Sequence, residues 1–187
     1  MAAAKPALAL IASTNENRLM DRLLTEWAAQ LEQLKAPSAA LDVVRSYHAA
    51  VVPDKHYAVH VLCRSGSAAR GAGSPFEGFV HINHAHPHSK RPVLRLVWNR
   101  FAPKYDAAED PAKEHARLFT TVLAQALTMS RNSHRSNEVK IFLCNAADHT
   151  HARSFAGQLT GVPGMPFKTS VRGSWLHLEW LKEGKHD

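Results

Sequence analysis

The residues with the densest capacity for chemistry form one histidine run, His81-Ile-Asn-His84-Ala-His86-Pro-His88. On an extended chain, His84, His86 and His88 share one face and His81 points to the other. Two histidines at i and i+2 can ligate zinc or copper, with a third ligand drawn from His56, His60 or His177. Pro87 interrupts the strand, and His86 to Lys90 has the composition of an exposed hairpin tip. No Cys, Asp or Glu accompanies the run at a recognised metal spacing, so no metal site is assigned. The competing reading is a set of solvent-facing imidazoles, or contacts to an anionic partner. His149-Thr-His151 at a helix start allows the same reading. His115, in the first turn of a long helix, meets either a phosphate or water. Cys63 and Cys144 lie far apart, each in a strand-like run. Two cysteines are too few for a disulfide framework, so both are expected as reduced, buried thiols of an intracellular protein.

The second chemical signal is charge. The chain carries a formal net charge of +7 over 187 residues, and thirteen histidines add to it on acidification. Such a balance favours acidic or phosphorylated partners, whether nucleic acid or protein. Lys90, Arg91, Arg95, Arg100 and Lys104 gather around one strand and its loops, and Arg131, Arg135 and Lys140 join them from beyond the next helix. They suit an RNA backbone, a phosphorylated ligand or an acidic protein, or simply a solvated surface. The cations are otherwise scattered, and no basic tail is visible. Trp27, Trp98, Trp175 and Trp180 are expected to pack in the core or line a groove. Apolar residues make up 45 % and charged residues 21 %, the balance of a globular domain. No apolar run reaches the roughly 18 residues of a membrane span. The N-terminal stretch is a weak match to a secretion or transit signal, so a cytoplasmic location is expected ahead of an organellar one.

These groups must be positioned by elements that the hydrophobic pattern marks out. Ala7 to Ala12 is a short apolar strand. Ser13, Thr14 or Asn15 can cap the helix that follows, in which Leu19, Leu23, Leu24, Trp27, Leu31 and Leu34 recur at helical spacing. A second helical segment spans about Ser38 to Ala50. Alternation around Tyr57 to Cys63 marks a strand, followed by a Gly- and Ser-rich turn, Ser65 to Pro75. Phe76 to His84 and Val93 to Asn99 complete an antiparallel meander. Phe101 to Tyr105 is a turn, Asp106 to Pro111 an acidic linker, and Ala112 to about Met129 a long amphipathic helix. Val139 to Cys144 is a compact, central strand, and a helix covers about His149 to Leu159. Phe167 to Val171 and Ser174 to Leu181 are closing strands hinged at Arg172-Gly173, and the tail from Lys182 is charged. The order predicts a single α+β domain over residues 1–187, with one mixed, mostly antiparallel central sheet and helices on both faces.

This element order resembles the GNAT family of CoA-dependent N-acyltransferases. The Ala102-Pro103-Lys104-Tyr105 turn is similar to the family's Pro-x-Tyr turn, and Asn145, Ala152, Phe155, Leu159 and Gly161 resemble a series in its last helix. The resemblance implies acetyl-CoA as cofactor and acyl transfer to an amine. It places the thioester beside the Val93–Asn99 strand, with Trp98, Asn99, Phe101, Tyr105, Lys113, His115 and Asn145 as cofactor-binding candidates. Backbone amides near Phe101 would polarise its carbonyl. In the role of base it implies a carboxylate near the preceding strand, with Glu77 or His81 as the holders here. Two features depart from the family. Its glycine-rich diphosphate loop is replaced by Asp106-Ala-Ala-Glu-Asp-Pro111, in which side chains obstruct the backbone approach and three acids repel phosphate. The tyrosine that protonates the leaving thiolate is replaced by Ala156, or by Phe155 one position earlier. The departures imply the alternative of a non-catalytic relative, a protein-binding or scaffold module without cofactor. The ornithine decarboxylase antizymes, which share a similar core and bind a protein, offer a fold-level analogy. A basic component of a ribonucleoprotein assembly is the third reading.

Overall fold

The computed structural model describes residues 8–47, 57–64, 75–160 and 162–181. His56, the Gly- and Ser-rich turn as far as residue 74, Gly161 and the tail from Lys182 lie outside them. In chain order the elements are β1 (Leu8–Ala12), α1 (Leu19–Gln33), a 3-10 turn (Ser38–Leu41), α2 (Asp42–Ser46), β2 (Tyr57–Arg64), β3 (Phe76–Ala85) and β4 (Val93–Phe101). They continue with α3 (Pro103–Asp106), α4 (Pro111–Arg131), β5 (Glu138–Phe142), α5 (Ala146–Thr160), β6 (Phe167–Arg172) and β7 (Trp175–Trp180). The strands form one seven-stranded sheet in the order β1-β2-β3-β4-β5-β7-β6. β4 and β5 run parallel, whereas β1–β2, β5–β7 and β6–β7 are antiparallel. The α+β class and the mixed, mostly antiparallel sheet are therefore as the sequence pattern requires. The chain clusters into two compact units, Met1–Ile82 with Trp98–Gln125, and Asn83–Val97 with Ala126–Asp187.

In the first unit, α1 buries Leu19, Leu23, Trp27 and Leu31, four residues apart along one face. Its start is held by Ser13, whose Oγ accepts the Met20 N–H at 3.1 Å, and by Asn17, whose Oδ1 accepts the Leu19 N–H at 3.2 Å. Trp27 packs on Phe79 with ring centroids 6.2 Å apart and donates its Nε1–H to the Phe76 carbonyl at 3.3 Å. Tyr47 also covers Phe79, so α1 and α2 lie on that face of β3. The other face carries Gly78 against Phe101, whose ring meets His115 of α4. Helices thus cover both faces, as expected. A Cβ on Gly78 would lie 2.8 Å from the Phe101 ring and 2.9 Å from the Arg100 carbonyl, so only glycine fits there.

In the second unit, β5 is flanked by β4 and β7, with Leu94, Val139 and Leu178 aligned across the three strands. All three are fully buried. Thr169 pairs with Leu178 and donates its hydroxyl to the Ala156 carbonyl at 3.1 Å, which puts α5 on this apolar face. By alternation, Glu138, Lys140, His177, Glu179 and Arg172 share the opposite face.

Several boundaries differ from the pattern. Ser38 to Ser46 is a 3-10 turn leading into five helical residues. The strand β4 runs through Phe101, and the expected turn after it coils into the short helix α3 around Pro103. Strand β5 stops at Phe142, so Cys144 is an exposed thiol beyond the strand, not the buried one expected; Cys63 is buried. Burial pushes the Cys63 thiol up to about 11.

Candidate functional site

Glu77 is a buried polar side chain of the first unit with three partners. It sits on β3 at 1 % exposure. Its carboxylate accepts from Arg64 Nε and from the Tyr105 hydroxyl, and Lys104 Nζ lies 2.9 Å away. Burial alone would raise the Glu77 carboxyl; the Tyr105 hydroxyl, then Lys104 and Arg64, overcome it and hold the group below its usual range. In return, burial and the Glu77 charge push Tyr105 up to about 12. A carboxylate with three donors and a depressed affinity for protons is a structural counter-ion. A general base needs a free lone pair and a proton affinity near working pH, so Glu77 is poorly suited to the role the resemblance implied. The same cluster accounts for Tyr105, which spends its hydroxyl inside the unit.

Most backbone amides of the strand–loop–helix segment that follows are already committed. The Ala102 N–H donates to the Glu77 carbonyl at 3.0 Å, and the Lys104 N–H to Gln30 Oε1 at 3.2 Å. The Tyr105 N–H returns to Ala102 at 2.9 Å, and the amides of Ala107 and Ala108 both point at the Tyr105 carbonyl. At the start of α4, Asp110 Oδ1 accepts the Lys113 N–H at 3.0 Å and its carbonyl accepts the Glu114 N–H at 3.2 Å. Asp106 is held by Arg100 Nη2 at 2.7 Å and His115 Nε2 at 3.2 Å. The acidic linker is thus a capped helix start whose own carboxylates answer the dipole and the neighbouring cations. Phe101 is buried, Trp98 stacks on Tyr47 with centroids 6.2 Å apart, and Asn99 is half-buried on the same strand. Lys113 is exposed. His81, also beside Tyr47 at 5.3 Å, has its proton affinity lowered by burial.

Asn145 lies in the second unit, where its Oδ1 accepts the Asp148 N–H at 3.0 Å; it caps α5. Ala156 and Phe155, at the tyrosine position of the resembled family, offer no proton. Among the described residues, the histidine run does not bring three ligand atoms together. His84 Nε2 is 3.2 Å from the Arg135 carbonyl, His86 turns the chain at φ 53°, and His88 is exposed. The group that does converge was not visible in the spacing: Glu138, His177 and Glu179, with ligand atoms within 4.8 Å of one another. His177 Nδ1 bonds Glu138 Oε1, Lys140 Nζ is 3.4 Å from Glu138, and Arg172 bridges Glu138 and Glu179. Its carboxylates therefore already face two fixed cations. The signal for it is the register that sets Glu138 opposite Glu179 and Lys140 opposite His177, which no spacing in the chain reveals.

No protein-family model matches this chain, and no curated protein matches it. Solved structures do share its chain path. An acetyltransferase from Thermus thermophilus is 14 % identical at a TM-score of 0.41, with 93 % of this chain and 96 % of that one covered. A GNAT-family acetyltransferase from Staphylococcus aureus is 9 % identical at a TM-score of 0.38, covering 94 % and 100 %. AtaTR, bound with AcCoA, is 15 % identical at 0.42, covering 92 % of each chain. At TM-scores below 0.5 these likenesses specify neither a reaction nor a ligand for this chain.

Proposed function

We propose that this chain is a binding module on an acyltransferase-like scaffold that does not take up acetyl-CoA. The observation that carries this reading is the commitment of most amides around the linker. The N–H groups of Ala102, Lys104, Tyr105, Ala107, Ala108, Lys113 and Glu114 are each committed to partners within their own unit. A diphosphate needs such amides free and convergent. The acids of the linker and the replacement of the leaving-group tyrosine by Ala156 support the same reading. The competing function is acyl transfer from acetyl-CoA to an amine, with His81 as the base.

One measurement separates them. A cofactor that binds the folded chain raises its melting temperature through linkage. At about 1 mM acetyl-CoA the melting temperature is expected to stay within about 1 °C of the free protein. A rise of several degrees, together with thiol release on adding an amine, overturns the binding-module reading in favour of catalysis.

A further inference from the structure

The second unit contains two stretches without a single Asp or Glu, Asn83–Val97 and residues 126–137. Together they hold Lys90, Arg91, Arg95, Arg131 and Arg135, and four of the histidines. The fold joins them. The Asn137 N–H donates to the Pro92 carbonyl at 2.9 Å, His84 Nε2 lies 3.2 Å from the Arg135 carbonyl, and the His84 and His134 rings meet edge-on at 5.4 Å. Lys90, Arg91, Arg131 and Arg135 are exposed. The first acid after these stretches, Glu138, is spent on His177, Lys140 and Arg172. The positive field of this end is therefore not cancelled from within its own segments.

We propose that this end of the second unit is a docking surface for single-stranded nucleic acid, held by its phosphates. Charge alone would suit an acidic peptide equally, but the chemistry of the side chains favours phosphate. Of the four exposed fixed cations three are arginines, whose planar fork matches phosphate oxygens in a bidentate way; Arg95 instead lies over the Trp175 ring at 5.9 Å. Planar groups accompany them: the His84–His134 ring pair, and Arg131 over the Trp180 ring at 4.5 Å. Imidazole and guanidinium planes are surfaces on which unpaired bases stack, and duplex bases are not available for that contact. Such a surface is compatible with a catalytic and with a non-catalytic chain, so it stands independently of the acetyl-CoA measurement.

The test is fluorescence anisotropy of the full chain with a labelled single-stranded RNA of about 15 nucleotides, and with a labelled poly-glutamate peptide of similar charge. RNA is expected to bind more tightly than the peptide, with an affinity that falls as salt rises, at a log–log slope of about −0.7 per phosphate contacted. Replacing Lys90, Arg91 and Arg135 by Ser removes three exposed cations of the surface and is expected to weaken RNA binding about tenfold or more. A control that loses the same charge at exposed positions elsewhere, Lys35, Arg153 and Lys168 to Ser, is expected to lose less than about threefold. Melting temperatures of both variants establish that they are folded. Absent RNA binding at low salt, equal losses in the two variants, or tighter binding of poly-glutamate each overturns the proposal.

Discussion

Glu77 and Glu138 are both strand carboxylates facing cations, yet they do different work. Glu77, at 1 % exposure, has two cations and a phenol converging on it from β2 and α3. Both of its oxygens are engaged, and the cluster ties the segment after β4 to the start of β3. Glu138, with its side chain at 15 % exposure, has His177 across the ladder, Lys140 two residues along and Arg172 at 3.9 Å from the sheet edge. Its partner Arg172 is 57 % exposed and can exchange with water. Position in the packing, not residue type, decides whether a carboxylate is a structural rivet or keeps an adjustable partner. Removing Glu77 takes the shared acceptor from two cations and a phenol at once, whereas Arg172, the most exposed partner of Glu138, re-solvates readily.

The comparison breaks first at Glu77→Gln. This change leaves Arg64 and Lys104 facing a neutral group, and a loss of about 2–3 kcal/mol in urea unfolding is expected, below the fully buried limit because both cations retain some access to water. The acid limb of the stability profile sharpens the point. The folded Glu77 carboxyl lies below its unfolded value near 4.5, so its ionisation stabilises the fold above pH 4.5 and that contribution is lost as pH falls through the folded value. The Gln variant should therefore show a flatter decline below pH 4.5 than the parent; an unchanged slope would place the acid sensitivity elsewhere. Next in size is Gly78→Ala, beside Glu77 on β3. The added methyl meets the Phe101 ring and the Arg100 carbonyl at under 3 Å, and about 1–3 kcal/mol should be lost through overpacking. Thermal unfolding within about 0.5 kcal/mol of the parent would mean this strand pair yields. Smallest is Glu138→Gln in the second unit, at about 1 kcal/mol or less, and reduced further by salt. A loss equal to that of Glu77→Gln would erase the distinction between the two clusters.

Much of the architecture was legible in the chain. The spacing of Leu19, Leu23, Trp27 and Leu31 marks the buried side of α1, although the helix starts at Leu19 after Arg18 and not at the caps expected from Ser13, Thr14 or Asn15, and Leu118, Val122 and Ala126 mark the buried side of α4, because a helix on a core repeats its burial every three to four positions. Alternation identified β2. The linker's character was also legible, since Asp110 before Pro111 is a capping signal that needs no tertiary partner. The site was less so. Cys144 was misplaced because an apolar run does not show where ladder pairing ends. Glu77 was read as a candidate base because nothing local shows that Arg64, Lys104 and Tyr105 surround it. His177 was paired with the wrong residues, and its meeting with Glu138 and Glu179 was missed, because 39 residues separate Glu138 from its histidine.

What the sequence determined by itself is whatever depends on neighbours within one or two turns: the periodicity of the elements, the acidic, glycine-free loop and the absence of acids from Asn83–Val97. Only the tertiary structure decided which charges are spent. Strand register set His177 beside Glu138, and the return of α3 to β3 set Tyr105 and Lys104 on Glu77. Arg91 and Arg135, by contrast, face water. A charge in a chain is only a valence; whether it is neutralised, buried or offered to a partner depends on which distant strand lies alongside it, because electrostatic partners must meet within a few ångströms to matter.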